Sequence, residues 1–212
     1  MTDRARGQQG PGILGGMRTR AAYWLAWSLC ALSLALTGLG LLFHILNLSE
    51  PSVSTFTYWV ESTLLGVGAS TVGAIIASRR THNPIGWLLC VSGLVFGAVM
   101  FASEYAIHAL LVAPGTLPAG EALASVNPLW VLGFNLFVLM LILFPTGQLP
   151  RSRWRWLIYL YVAIAVVEVV AMLFLPGPLE GLELIENPLG IESLPIGRKP
   201  VQALVFTLGL VA

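Results

Sequence analysis

Charge is what this chain has least of. Asp, Glu, Lys and Arg make up 10% of its 212 residues against 57% apolar, where soluble domains run near a quarter charged. A mean hydropathy of +0.83 belongs in lipid and excludes a sizeable water-soluble domain. At ~20 apolar residues per span there is room for five or six spans and short loops. Cysteine is also scarce. Cys30 and Cys90 both fall inside apolar runs with no CxxC or Cys/His spacing, which excludes a disulfide framework and a cysteine metal centre. The net charge of +1 is split into small clusters beside apolar segments, so no continuous basic surface exists for a nucleic-acid partner. Phosphate-binding GxxxxGK[ST] loops, GxSxG elbows, HExxH zinc motifs and nucleotide fingerprints are missing too. The chain is therefore expected to be no enzyme by itself, with no catalytic residue, cofactor or metal.

What is present is a succession of apolar runs. The fold class that follows is all-α: a polytopic transmembrane helical bundle in contact with the lipid bilayer. A basic segment, residues 1–20, precedes a helical domain, residues 21–212, with spans at about 21–46, 57–77, 85–108, 128–144 and 154–175. The first span is too long for a signal-peptide core and reads as an uncleaved helix. A sixth run, 201–212, would rise only ~18 Å as a helix against a hydrocarbon core of ~30 Å. It is expected to be an incomplete span in a fragment of a longer protein.

Arginines punctuate these spans. Arg4, Arg6, Arg18 and Arg20 precede the first; Arg79 and Arg80 separate the second and third; Arg151, Arg153 and Arg155 stand at the fifth. All nine map to one side, and only Arg198 and Lys199 to the other. The positive-inside rule then places the N-terminus in the cytoplasm of a multi-pass cell-membrane protein. Tyr23, Trp24, Trp87, Trp154 and Trp156 fall at inner ends and Tyr58, Trp59, Tyr105 and Trp130 at outer ends, where interfacial aromatics belong. Arg79, Arg80 and His82 lie where anionic head groups attract basic side chains. Asn83-Pro84 and Asn127-Pro128 read as helix caps followed by proline. The longest loop, Pro176 to Pro200, reads as an irregular connector in preference to a lid, and Asn47-Leu48-Ser49 fits a glycosylation pattern.

Ionisable residues inside spans are costly and mark function by default. Glu61, Glu104 and Glu168 qualify, with His44 and His108. All but Glu168 gather toward the outer ends of their helices. Glu168 lies ~20 Å along its helix from Trp154 and is the deepest. Glu104 and His108, four apart, share one helical face. Glu61, Glu104, His108 and Glu168 are the expected polar lining of a ligand or proton site. Ser62, Gly66, Ser70, Ala74 and Ser78 recur at every fourth position, with Gly93 and Gly97 on the next helix. Such a stripe lets helices approach closely, within one bundle or across a homodimer face.

Three phrases carry a resemblance. Ser78-Arg79-Arg80-Thr81-His82-Asn83-Pro84-Ile85-Gly86-Trp87-Leu88-Leu89, then Leu143-Phe144-Pro145-Thr146-Gly147-Gln148-Leu149-Pro150 with Arg153-Trp154-Arg155, and Glu186-Asn187-Pro188-Leu189-Gly190 resemble the N-terminal multi-span membrane regions of actinobacterial-type sensor histidine kinases. The likeness covers most of residues 70–212. It implies a sensory module of a two-component system, with a cytoplasmic kinase domain following in the same longer chain. It supplies no catalytic residue here, since no residue of this chain matches a phospho-accepting histidine in context. The rival expectations are a small transporter or proton- or cation-conducting protein, and a membrane scaffold subunit.

Overall fold

A computed structural model describes residues 13–50, 53–148 and 155–193. Helix α1 spans Ile13–Asn47, α2 Trp59–Arg79 and α3 Pro84–Ile107, the last running on into a π-helical turn, His108–Val112. The short α4, Gly120–Ala124, and a 3-10 turn, Asn127–Leu129, lead into α5, Trp130–Leu143. Helix α6, Arg155–Phe174, precedes two antiparallel strands, β1 Pro178–Leu179 and β2 Leu182–Glu186. Among the described residues, five helices are long and apolar enough to cross a membrane. The chain is thus mainly helical and membrane-embedded. The strand pair corrects the all-α expectation, and the incomplete sixth span, 201–212, lies outside the described residues.

Small residues decide how the first three helices pack. A Cβ placed on Gly73 of α2 would lie 2.5 Å from the Cys90 nitrogen of α3, and one on Gly93 of α3 would lie 2.5 Å from the Ser70 nitrogen of α2. Backbone therefore meets backbone along this seam. The predicted stripe is accounted for inside the chain: Ser62, Gly66, Ser70 and Ala74 are buried, and Ser78 is half-buried. Helix α1 closes the trio through the Ser33 hydroxyl, which lies 3.0 Å from the Gly66 carbonyl of α2 and 2.8 Å from the Gly93 carbonyl of α3. Contacts pairing Cys30 with Ser70, Ser33 with Gly66 and Gly40 with Met100 make α1 antiparallel to α2 and parallel to α3.

Helix α3 is the axis of the molecule. Buried residues make up 61% of its most apolar stretch, against 11% in α6. Helix α5 docks on the other side of α3, where Ser92 donates to the Gly133 carbonyl at 2.8 Å, and α6 leans on α5 and the 3-10 turn before it, with Val131, Val169 and Met172 in contact. The topology brings Arg20, Arg79, Arg80 and Arg155 to one end, called here the arginine end, and the strand pair to the opposite, hairpin end.

The described part of the loop expected to be an irregular connector, residues 176–193, holds a hairpin seated on the bundle. Leu179, Leu182 and Ile185 are buried against Val99, Met100 and Ile107 of α3, together with Phe56. Burying three aliphatic side chains outweighs leaving the loop solvated. Gly181 turns the hairpin at φ +73°, a conformation favouring glycine, and its carbonyl accepts from Thr57 N at 3.2 Å. Asn187 then closes α6 by donating to the Leu173 and Leu175 carbonyls at 3.0 and 2.8 Å. At the arginine end Asn83 caps α3 as expected, accepting from Ile85 N at 3.0 Å. Asn127 does not cap α5. Its amide donates to Ser103 Oγ and the Glu180 carbonyl, because burial beneath the hairpin makes those acceptors nearer than the helix start.

Replacing Gly93 by Val should destabilise the bundle by about 3 kcal/mol, the upper range for overpacking, because the obstructing atoms are backbone. Gly38→Ala, where a Cβ meets nothing, should be neutral or slightly stabilising. Denaturant unfolding in detergent, followed by circular dichroism, compares the two.

Candidate polar site at the hairpin end

Helices α1 and α3 run parallel, so the ends of both arrive together beneath the loop preceding α2. Glu104 of α3 is fully buried there. Its Oε1 meets His44 Nδ1 of α1 at 2.7 Å and accepts from the Phe56 backbone N–H at 3.2 Å. Its Oε2 accepts from Asn47 Nδ2 of α1 at 2.7 Å, and the same amide group donates to the Glu104 carbonyl at 3.0 Å. Both oxygens facing that NH₂ group accept from it, which directs Asn47 Oδ1 toward His108 Nδ1, 2.9 Å away. An amide oxygen only accepts, so His108 Nδ1 is the donor in that bond. The His44 ring lies 4.6 Å, centroid to centroid, from the Trp59 ring at the start of α2. One carboxylate thus joins α1, α3 and the loop 53–58 directly and α2 through an imidazole.

A second polar cluster lies deeper, between α5 and α6. Glu168, 3% exposed, accepts from Asn135 Nδ2 at 2.7 Å, while Asn135 Oδ1 accepts from the Tyr161 hydroxyl at 2.7 Å. Glu168 Oε1 is buried without a hydrogen-bond partner among the described residues. Beside this cluster a cleft of about 210 Å³ opens between the two helices, lined by Asn135 and Tyr161 among aliphatic side chains.

Of the four residues expected to line one site, the structure brings Glu104 and His108 together, through Asn47. Glu61 is exposed on the first turn of α2, and Glu168 belongs to the other cluster. No group of three or more His, Cys, Asp or Glu side chains among the described residues is placed to hold a metal ion. Sequence reasoning passed over Asn47, Asn135 and Tyr161. The phrase Asn47-Leu48-Ser49 fits a glycosylation pattern, but Asn47 is 0% exposed and its amide is engaged on three sides. Two signals were available: His44 and Asn47, three apart, share one face of α1 as Glu104 and His108, four apart, share one of α3, and Asn135 is the one hydrogen-bonding side chain besides Trp130 in the run WVLGFNLFVLMLIL.

Outside the spans, Tyr58 lies against the hairpin and its hydroxyl donates to Glu180 Oε1 at 3.2 Å. Partial burial raises its pKa, and the charges of Glu180 and Glu61 and the bond to Glu180 add to the rise.

Compared with family models, with curated proteins and with solved structures, the chain has no match in any of the three.

Two outcomes follow from this geometry. Asn47→Leu removes three hydrogen bonds at ~0.6 kcal/mol each for interhelical bonds in membranes, and should lower unfolding stability in detergent by about 2 kcal/mol. A double-mutant cycle with His108→Phe should show the two losses to be less than additive. Tyr58, whose folded pKa is raised above the unfolded ~10, contributes stability in full below pH ~10 and loses it as pH rises through the folded value. Hairpin protection from hydrogen exchange should fall in that window, and Tyr58→Phe should remove the pH dependence.

Proposed function

We propose that this chain is the membrane-embedded input module of a signal-transduction protein, with its N-terminus in the cytoplasm and its hairpin end facing outward. The observation that carries this reading is Glu104. It is a fully buried carboxylate on α3 whose partners come from α1 and the loop 53–58, beside two imidazoles and at the root of a π-helical turn. Single-turn π segments occur frequently at functional sites. Displacing the loop 53–58, or competing for His44 or Asn47, alters what holds α1 to α3. A stimulus arriving at the hairpin end would therefore favour one packing of the bundle over another, which is what coupling requires.

Orientation rests on the arginines, of which Arg20, Arg79, Arg80 and Arg155 gather at one end of the described bundle. Two of the phrases that carry the kinase-type resemblance meet at this end. A Cβ on Gly147 would lie 2.6 Å from Asn83 Oδ1, so the phrases Asn83-Pro84-Ile85-Gly86 and Phe144-Pro145-Thr146-Gly147 pack against each other. In the sensory reading that contact is the output surface, passing motion to a cytoplasmic domain of a longer chain. A second reading, a small proton- or cation-conducting protein, is favoured by the half-satisfied Glu168 beside the cleft between α5 and α6.

The test is a distance. Spin labels on cysteines introduced at His82 and Gln148, both exposed, report the arginine end in liposomes. Phe56→Ala, which loosens the loop whose backbone Glu104 holds, should shift the distance distribution, and Glu104→Gln should shift it in the same direction. An invariant distribution, together with proton flux into the same liposomes that Glu168→Gln abolishes, would replace the sensory reading by the conducting one.

A further inference from the structure

A groove of about 450 Å³ runs along the outside of the bundle where α2, α3 and α5 meet. Its floor and walls are hydrocarbon: Gly68, Val72 and Ile76 of α2, Leu89 of α3, Met140 of α5 and Phe144 just beyond it. From Leu64 to Ile76 it follows α2 for ~18 Å at 1.5 Å per residue, close to the ~15 Å hydrocarbon depth of one leaflet. Gly68 keeps it open. Gly66, Gly73 and Gly93 are each pressed against a neighbouring helix, but a Cβ on Gly68 would meet nothing within 4 Å. A mid-helix glycine costs up to ~1 kcal/mol relative to alanine, and no contact within the described chain compensates for it here.

The lower end of the groove is charged. The lining positions Val72 and Ile76 continue at helical spacing to Arg79, with Arg80 ending the helix, and both arginines are exposed. Neither forms an ion pair with the described residues. The described carboxylates lie at the hairpin end or, in Glu168, within α6, so this rim is cationic without local neutralisation. Exposed His82, in the turn that follows, adds a further basic side chain at this end, where anionic head groups attract such groups.

We infer that the groove binds one anionic phospholipid, an acyl chain lying along α2 over Gly68 and the phosphate head group held by Arg79 and Arg80. Hydrocarbon length, an unfilled glycine position and unpaired charge at the correct end coincide on one face of one helix. The site is separate from both polar clusters and does not depend on a sensory function. A basic side chain near a membrane surface favours anionic lipid by roughly fivefold. A guanidinium also matches a phosphate in two-point geometry.

The experiment uses the full chain in nanodiscs made of equal parts phosphatidylglycerol and phosphatidylcholine, released in the gas phase for native mass spectrometry. Wild type should retain phosphatidylglycerol in preference to phosphatidylcholine. Arg79→Gln and Arg80→Gln should each reduce that preference about fivefold, while Arg155→Gln on distant α6 leaves it unchanged. Gly68→Leu, which fills open space and keeps the helix, should lose the retained lipid with unfolding stability intact. Equal retention of both lipids, undiminished phosphatidylglycerol in Gly68→Leu, or a lipid-free dimer with the groove shielded by a second copy would each overturn the assignment.

Discussion

Everything in this bundle depends on how closely α2 and α3 approach. Lipid gives no hydrophobic reason for two helices to associate, so close packing and interhelical hydrogen bonds must supply it. Here Gly73 and Gly93 remove the side chains that would separate the backbones. With α2 this near, the Ser33 hydroxyl of α1 reaches carbonyls on both neighbours, and α3 is enclosed by α1, α2 and α5. Enclosure in turn allows α3 to carry Ser92, Ser103 and Glu104, each 0% exposed. On a lipid-facing surface the same residues would be penalised.

The Glu104 network is the second consequence. Two parallel helices whose seam is set by small residues deliver His44, Asn47, Glu104 and His108 to one level. There the carboxylate finds donors in Asn47 and the Phe56 amide, with His44 completing the set. Such a network is rigid while complete, and each member is costly to leave unpaired. That combination suits a site which holds a loop in place until something competes for one of its partners. The hairpin adds an apolar seal above it, since Phe56, whose N–H contacts Glu104, buries its ring among Leu179, Leu182 and Ile185.

Much of this was legible in the residues themselves. Spans 57–77 and 85–108 fall within two positions of α2 and α3, and 21–46 lies inside α1, which starts earlier at Ile13, because long apolar runs in a lipid solvent leave few alternatives. The stripe Ser62-Gly66-Ser70-Ala74 announced a close helix contact, though its partner could not be known until α3 was placed beside it. Depth along a helix was legible and convergence was not. Glu61 and Glu104 lie near the same end, yet one points outward and the other is enclosed, a difference decided by helix rotation. Asn127 and the 176–200 loop were misread for one reason. Both are governed by the hairpin, whose short strands carry no alternating pattern long enough to register against a Pro- and Gly-rich background.

The two buried carboxylates divide the molecule into unlike halves. Glu104 sits where three helices and a loop crowd together, and both its oxygens are occupied. Glu168 sits between two helices in slight contact, with one oxygen accepting from Asn135 and the other facing no donor. A fully bonded carboxylate resists change and transmits whatever disturbs its partners. A half-bonded one has acceptor capacity in reserve for a proton, a water or a cation reaching it through the cleft. The tightly seamed half of the bundle therefore holds its buried carboxylate with every oxygen engaged, and the loosely packed α5–α6 half keeps acceptor capacity beside a cleft. The two properties need opposite packing, close for full bonding and loose for an open cleft, and they stand on separate helices, Glu104 on α3 and Glu168 on α6.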